Sequence, residues 1–122
     1  MKKKILLIYT GGTIGMIKDN AKNTLIPFNF DELLKAIPEL KSDELDLVNI
    51  SIQKPIDSSN MNLNVWVEVA QLIEENYEKH DGFVILHGTD TMAFSASAIS
   101  FMLENLNKAV IFTGSQIPIG IR

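Results

Sequence analysis

Two glycine turns in this sequence each carry a threonine whose hydroxyl could take part in chemistry. Thr13 ends the run Thr10-Gly11-Gly12-Thr13, and Thr89 lies within His87-Gly88-Thr89-Asp90. Each turn directly follows a short apolar run of the kind found in buried parallel strands. In open α/β sheets, ligands bind just beyond the carboxyl ends of the strands. The sequence therefore predicts that both hydroxyl-bearing turns face one pocket.

Each polar residue of these turns has a functional and a structural interpretation. The Thr13 hydroxyl is a candidate nucleophile, which needs a base or a polarising partner, and the alternative is a purely structural turn. Asp90 could hold a substrate amine or orient a water, or it could cap the helix that follows. His87 could be a general base, but a hydrogen-bonded structural histidine is favoured.

A third loop, Asp57-Ser58-Ser59, follows another predicted strand. Its residues could simply cap and turn the chain, or their hydroxyls and backbone N–H groups could bind a carboxylate. The three loops together offer hydroxyls, an acid and backbone donors, with neither a metal-ligand cluster nor a glycine-rich phosphate fingerprint. This inventory suits a small polar substrate with a carboxylate and an amine, and no metal or cofactor is expected.

The elements that must position these loops alternate along the chain. The predicted strands cover residues 4–9, 45–52, 83–86 and 109–113. The predicted helices cover residues 31–37, 63–79 and 91–106, and Asn62 is the predicted cap of the second one. Such alternation predicts an α/β fold with a mostly parallel, doubly wound sheet and helices on both faces. Residues 16–27, polar and aperiodic, are predicted to form a mobile loop. The strand at 45–52 has a solvated face, which places it near an edge of the sheet.

Two features of the helices and the chain end predict further contacts. Trp66 and Tyr77 share a helical stripe and are expected to be core anchors. The helix predicted at 91–106 is apolar nearly all round, so its second side is expected to lie against another subunit or against chain that is absent here. Because the last predicted strand has no following helix, we expect the sequence to be a fragment of a longer protein, cut after its fourth main strand.

Composition limits the classes of function. The chain has 122 residues, enough for one domain, and a net charge of −4, which argues against a nucleic-acid-binding surface. There is no cysteine, which excludes disulfides and thiolate chemistry within the sequence. No apolar run approaches the roughly 20 residues of a membrane span. A soluble, cytoplasmic protein is therefore expected, with no membrane or nucleic-acid partner.

The motifs resemble those of the bacterial-type L-asparaginase family. The resemblance covers essentially the whole chain and is carried by Thr10-Gly11-Gly12-Thr13-Ile14-Gly15, His87-Gly88-Thr89-Asp90-Thr91-Met92 and Gly114-Ser115-Gln116-Ile117-Pro118. Asp57-Ser58-Ser59-Asn60-Met61 resembles the substrate-binding loop of the cytoplasmic type I branch. The resemblance implies a large N-terminal α/β domain, of which this chain is most, followed by a smaller C-terminal domain that is absent here.

The resemblance also implies an activity and site residues. It implies hydrolysis of L-asparagine, and sometimes L-glutamine, with Thr13 as the nucleophile and without a cofactor or metal. Thr89 and Asp90 are implied as a second catalytic group, and Asp90 also as the residue that grips the substrate amine. Asp57, Ser58 and Ser59 are implied as substrate-binding residues, with the serines holding the α-carboxylate. Sites completed across a homodimer, often within a homotetramer, are implied as well.

Two departures from the family pattern accompany the resemblance. The family places a lysine beside the Thr-Asp pair, and its position lies beyond Arg122. The family also often has a tyrosine on the flexible loop, where this sequence has Thr24 or Leu25. We therefore expect little activity from the 122 residues alone. Two alternatives stay open, namely a non-catalytic amino-acid-binding or assembly module, and an asparaginase-like component of a tRNA amidotransferase.

Overall fold

The fold is built on a parallel β-sheet of four strands. A computed structural model describes residues 2–19, 21, 24–27 and 38–117. Its main sheet contains β1 (Lys3–Tyr9), β4 (Leu45–Ser51), β5 (Gly82–Leu86) and β6 (Ala109–Thr113), in the spatial order β4-β1-β5-β6. All three neighbouring pairs are parallel. The predicted α/β class, the four main strands and the edge position of the second predicted strand are confirmed.

Two helices pack on one face of this sheet, α1 (Leu63–Asn76) and α2 (Met92–Met102). Asn62 caps α1, since its side-chain oxygen accepts a hydrogen bond from the Val65 N–H. The helices and strands share one core of buried apolar side chains: Leu6, Ile8, Ile52, Val65, Val69, Ala70, Ile73, Phe83, Ile85, Ile99 and Leu103. Trp66 and Tyr77 pack against this core, as predicted.

The register of the sheet brings the ends of all four strands to one level. Tyr9 pairs with Ser51 on one side and with Leu86 on the other, and Leu86 pairs with Thr113. From β1 the chain crosses to β4 on one side, whereas from β5 it crosses to β6 on the other. The carboxyl ends of β1 and β5 therefore flank the topological switch point, where open α/β sheets bind ligands.

The segment that follows β1 differs from its predicted structure. Residues 16–27 contain an antiparallel pair, β2 (Met16–Asp19) and β3 (Thr24–Pro27), instead of a structureless loop. The polar composition concealed this pair because an antiparallel ribbon is held by backbone hydrogen bonds, which composition does not show. The predicted helix at 31–37 lies outside the described residues.

Both helices end earlier than predicted. Helix α1 stops at Asn76, where residues 77–79 form a turn, and α2 stops at Met102, since the next residue, Leu103, is extended. Asn105 then has a φ of 56°, a left-handed backbone that asparagine tolerates and that cannot belong to a continuing helix. Within the described chain α2 buries one side only, since Phe94 and Phe101 are 70% and 88% exposed. No helix of the described residues is both long and apolar enough to cross a bilayer.

Candidate active site

The two threonine turns contact each other through their glycines. Gly12 has a φ of 91°, and a Cβ added to it would lie 2.6 Å from the backbone nitrogen of Gly88. A Cβ on Gly11, whose φ is 125°, would lie 1.9 Å from the carbonyl oxygen of Ile56. Only glycine meets both the backbone conformation and the close approach. The glycines therefore let the turns that follow β1 and β5 come into contact.

The first turn is fixed from the end of β1. The buried Thr10 hydroxyl donates to the Leu86 carbonyl oxygen at 2.9 Å, which ties the turn to β5. The Tyr9 hydroxyl donates to the Gly12 carbonyl oxygen at 3.0 Å, and burial raises the pKa of Tyr9. Thr13 then opens a short 3-10 turn, Thr13–Gly15. The Thr13 side chain is consequently held at the carboxyl edge of the sheet.

The second turn is fixed by the buried His87. Its backbone N–H donates to the Thr113 carbonyl oxygen at 2.9 Å. Both nitrogens of its imidazole ring form hydrogen bonds: Nδ1 lies 2.6 Å from the Gly88 carbonyl oxygen, and Nε2 lies 2.8 Å from the Ser95 hydroxyl. The interpretation of His87 as a hydrogen-bonded structural histidine is confirmed. Thr89 and Asp90, which follow it, are exposed beside the cleft.

The third loop is bound to the second. Ser58 is 2% exposed, and its hydroxyl oxygen accepts a hydrogen bond from the Asp90 N–H at 3.1 Å. Its carbonyl oxygen accepts from the Thr91 hydroxyl at 2.7 Å. The Asp57 carboxylate accepts from both the N–H and the hydroxyl of Ser59, and these two bonds lower the pKa of Asp57. Asp57 thereby caps the 3-10 turn Ser58–Asn60.

One cleft of about 210 Å³ lies between these loops. Its lining residues are Gly12, Thr13, Met16, Asp57, Ser58, Gly88, Thr89, Asp90, Ser115 and Gln116. The structure therefore brings together five of the six predicted site residues. The sixth, Ser59, is hydrogen-bonded to Asp57 and does not line the cleft. Ligand pockets usually enclose about 300–1,000 Å³, so this cleft suits a small molecule.

Two polar lining residues were not assigned a role from the sequence. Ser115 and Gln116 follow β6, and the Gln116 side-chain N–H donates to the Thr89 hydroxyl oxygen at 2.6 Å. The available signal was their position, because they follow a fourth strand that ends level with β1 and β5. Asp90 does not cap α2, whose N-cap residue is Thr91. Among the described residues no His, Asp and Glu cluster could hold a metal ion.

The structure defines an α/β fold with a hydroxyl-lined cleft at the switch point of a parallel sheet. Residues 4–121 match the family described as Asparaginase, N-terminal. This chain belongs to the asparaginase family and corresponds to its N-terminal part.

Individual relatives agree with this family. The chain is 48% identical to L-asparaginase 1 of Escherichia coli over 119 residues, which is 97% of this chain and 35% of that protein. It is 41% identical to a component of the glutamyl-tRNA(Gln) amidotransferase of Halobacterium salinarum, over 92% of this chain and 26% of that component. The crystal structure of L-asparaginase I from Vibrio cholerae matches with a TM-score of 0.85 at 47% identity, over 98% of this chain and 36% of that one. The chain thus spans about a third of the asparaginases it matches.

Proposed function

We propose that the protein containing this chain hydrolyses L-asparagine to L-aspartate and ammonia, with L-glutamine as a second candidate substrate. The observation that carries the proposal is the contact between Gly12 and Gly88, which puts the hydroxyls of Thr13 and Thr89 on one small cleft. The 48% identity to L-asparaginase 1 of Escherichia coli supports the same activity.

In this proposal Thr13 is the nucleophile. Its hydroxyl oxygen attacks the side-chain amide carbon of the substrate, and the hydroxyl proton passes to the amide nitrogen, which leaves as ammonia. A water then attacks the resulting ester, which releases aspartate and restores the threonine. A threonine hydroxyl needs activation for this step, and backbone N–H groups near Thr13 and Thr89 would stabilise the oxyanion.

The remaining lining residues fit a free amino acid. The Ser58 hydroxyl oxygen accepts from the Asp90 N–H, so its own proton can point to a ligand and meet the α-carboxylate. Asp90 supplies a negative charge for the α-amine, and Thr89 lies beside it to orient the attacking water. Asp57 keeps its charge because Ser59 donates to it twice, which offers a second anionic group at the amine end.

A specific relative favours a second candidate function. The similarity to the amidotransferase component fits the same threonine cleft within a complex that uses the released ammonia. The higher identity to L-asparaginase 1 favours the free amidohydrolase. Binding of aspartate or asparagine by the same loops, without hydrolysis, is the third interpretation.

Ammonia release from L-asparagine by the full-length protein separates these functions. We expect turnover by the natural sequence and a fall of at least about 10³-fold in kcat for Thr89→Ala. Thr89→Ser, which keeps the hydroxyl, is the matched control and should retain measurable activity. Tight binding of L-aspartate with no turnover would favour the binding module. Turnover that requires additional protein components would favour the amidotransferase.

We also propose the setting of this domain. It is the N-terminal α/β domain of a longer cytoplasmic protein, consistent with the family match and with the type I character of the Asp57 loop. We propose a homodimer or homotetramer, which the exposed apolar side chains of α2 and β6 support, namely Phe94, Phe101 and Ile111. Light scattering on the full-length protein tests the assembly, and a monomer at micromolar concentration would contradict it.

A further inference from the structure

The two threonine turns share a feature that the activity alone does not explain. In each turn, a glycine precedes the threonine, and a ring at the end of the preceding strand bonds to that glycine's carbonyl oxygen. In the first turn the Tyr9 hydroxyl donates to Gly12 at 3.0 Å. In the second the His87 Nδ1 is 2.6 Å from the Gly88 carbonyl oxygen. Both rings are buried, with Tyr9 8% and His87 1% exposed.

A hydrogen bond that fixes the direction of a carbonyl group also fixes the direction of the N–H in the same peptide. In a trans peptide the C=O of one residue and the N–H of the next point in opposite directions, and the described chain contains no cis bond. Holding the Gly12 and Gly88 carbonyls toward the interior therefore aims the N–H groups of Thr13 and Thr89 away from the rings. The residues on both sides of these two peptides line the cleft, whereas neither Tyr9 nor His87 does.

The hydrogen-bond partners of His87 determine where its proton lies. A carbonyl oxygen only accepts, so the bond to Gly88 requires the proton on Nδ1. Nε2 then accepts from the Ser95 hydroxyl, whose oxygen in turn accepts from the Trp66 indole N–H at 2.8 Å. In this arrangement every polar side-chain atom of the series Trp66–Ser95–His87 is satisfied, and no described buried side-chain atom lacks a partner.

We infer that Tyr9 and His87 are positioning residues, which aim the N–H groups of Thr13 and Thr89 at the reacting carbonyl oxygen, and that Trp66 and Ser95 hold His87 for this task. The inference rests on the proposed amide hydrolysis, since those N–H groups matter most where an oxyanion forms. Neither ring touches the substrate. Misplacement of such groups by about 1 Å can cost up to about a hundredfold in rate.

Two substitutions of His87 separate positioning from packing. The side-chain nitrogen of asparagine stands near the place of Nδ1, and that of glutamine near the place of Nε2. His87→Asn can therefore still donate to Gly88, whereas His87→Gln can bond only toward Ser95. We expect His87→Gln to lower kcat about tenfold or more with little change in KM, and His87→Asn to lose clearly less. Equal or reversed losses in the two folded variants would overturn the assignment.

Pairs of test and control substitutions examine the roles of Ser95 and Tyr9. Ser95→Ala should lower kcat severalfold and Ser95→Thr should restore it, while Ser97→Ala, an exposed serine of the same helix, should change nothing. Tyr9→Phe should lower kcat severalfold, whereas Tyr77→Phe, whose hydroxyl bonds to Asn107, should not. A KM effect without a kcat effect, for either Ser95→Ala or Tyr9→Phe, would contradict positioning.

One measurement on the unaltered full-length protein needs no activity and no folded variant. A long-range ¹H–¹⁵N spectrum of the imidazole of His87 should show the proton on Nδ1 and a bare Nε2. A proton on Nε2 with a bare Nδ1 would overturn the inference. If the Nδ1 proton were observed but the protein released no ammonia from L-asparagine, the proposed function would be wrong. The hydrogen bond from His87 to the Gly88 carbonyl oxygen would still be supported.

Discussion

The two threonine turns reach the same cleft by different physical means. The turn after β1 has positive φ angles at Gly11 and Gly12 and close backbone contacts to Ile56 and Gly88, in addition to the hydroxyl bonds of Tyr9 and Thr10. The turn after β5 has ordinary φ angles and is held by side chains, through Ser58, His87 and Gln116. The first turn should therefore tolerate few substitutions at its glycines, while the second should depend on its hydrogen-bonding neighbours.

The largest expected effect tests whether the two turns act as a unit. Thr13→Ala and Thr89→Ala should each lower kcat for L-asparagine by at least about 10³-fold, because each removes a hydroxyl from the same reaction. The double variant should then lose little more than the worse single variant. Steady-state ammonia release measures all three, and multiplicative losses would show that the turns act independently.

The next effect compares the glycines of the two turns. Gly12→Ala should destabilise the fold by about 3 kcal/mol, since alanine disfavours this φ and its Cβ would meet the Gly88 backbone. Gly88→Ala should cost about 1–2 kcal/mol, because its Cβ would meet the Ser58 side chain 2.6 Å away, with no unfavourable φ.

Denaturant unfolding of the full-length protein measures these costs. Gly82→Ala is the control, since its Cβ would lie 3.2 Å from the movable end of Ile5 and should cost the least. A larger cost at Gly88 than at Gly12 would contradict the distinction between a backbone-shaped and a side-chain-held turn.

A smaller effect is expected from the side-chain amide of Gln116, which follows β6 and bonds to the second turn. Gln116→Ala removes the N–H that donates to the Thr89 hydroxyl, and one hydrogen bond is worth about 0.5–1.5 kcal/mol. We expect kcat to fall about two- to tenfold, with stability nearly unchanged, in an ammonia-release assay. Gln53→Ala, an exposed glutamine away from the cleft, is the control. An unchanged kcat would show that the bond from Gln116 does not contribute to the role of Thr89.

The smallest effect concerns the charge on the third loop. Because Ser59 donates twice to Asp57, the pKa of Asp57 lies below its usual range in the folded protein. A group with a lowered folded pKa favours the fold above its unfolded pKa, and this contribution disappears as the pH falls through the folded value. Titration of Asp57 by carboxyl NMR should show the lowered pKa, and Ser59→Ala should return it toward the ordinary value. Because the backbone N–H of residue 59 still donates, the return should be partial, and no difference between the two proteins would contradict the hydroxyl bond.

Much of the fold could be predicted because hydrophobic pattern reports burial. The strand at 109–113 has the predicted bounds, and Asn62 is the cap that its position predicts. The pair β2 and β3 was missed because backbone pairing leaves little trace in a polar segment. Helix α2 ends at Met102, before the extended Leu103, and Asn105 was a signal against the predicted extension to Leu106, since it adopts a left-handed backbone.

The residues that line the cleft were predictable, but the contacts between them were not. Thr13, Thr89, Asp90 and Ser58 were found because parallel strands bring their carboxyl-end loops to one edge. The bond from Gln116 to Thr89 could not be predicted, since side-chain pairing between distant loops depends on geometry that no spacing encodes. The same holds for the link from Trp66 through Ser95 to His87.

The most direct test of the two-turn site is a crystal structure of the full-length protein with L-aspartate bound. We predict that its α-carboxylate contacts the Ser58 hydroxyl, that its amine contacts Asp90, and that its side-chain carboxylate lies between the hydroxyls of Thr13 and Thr89. L-Aspartate bound elsewhere, or bound here with its side chain away from both threonines, would contradict the account.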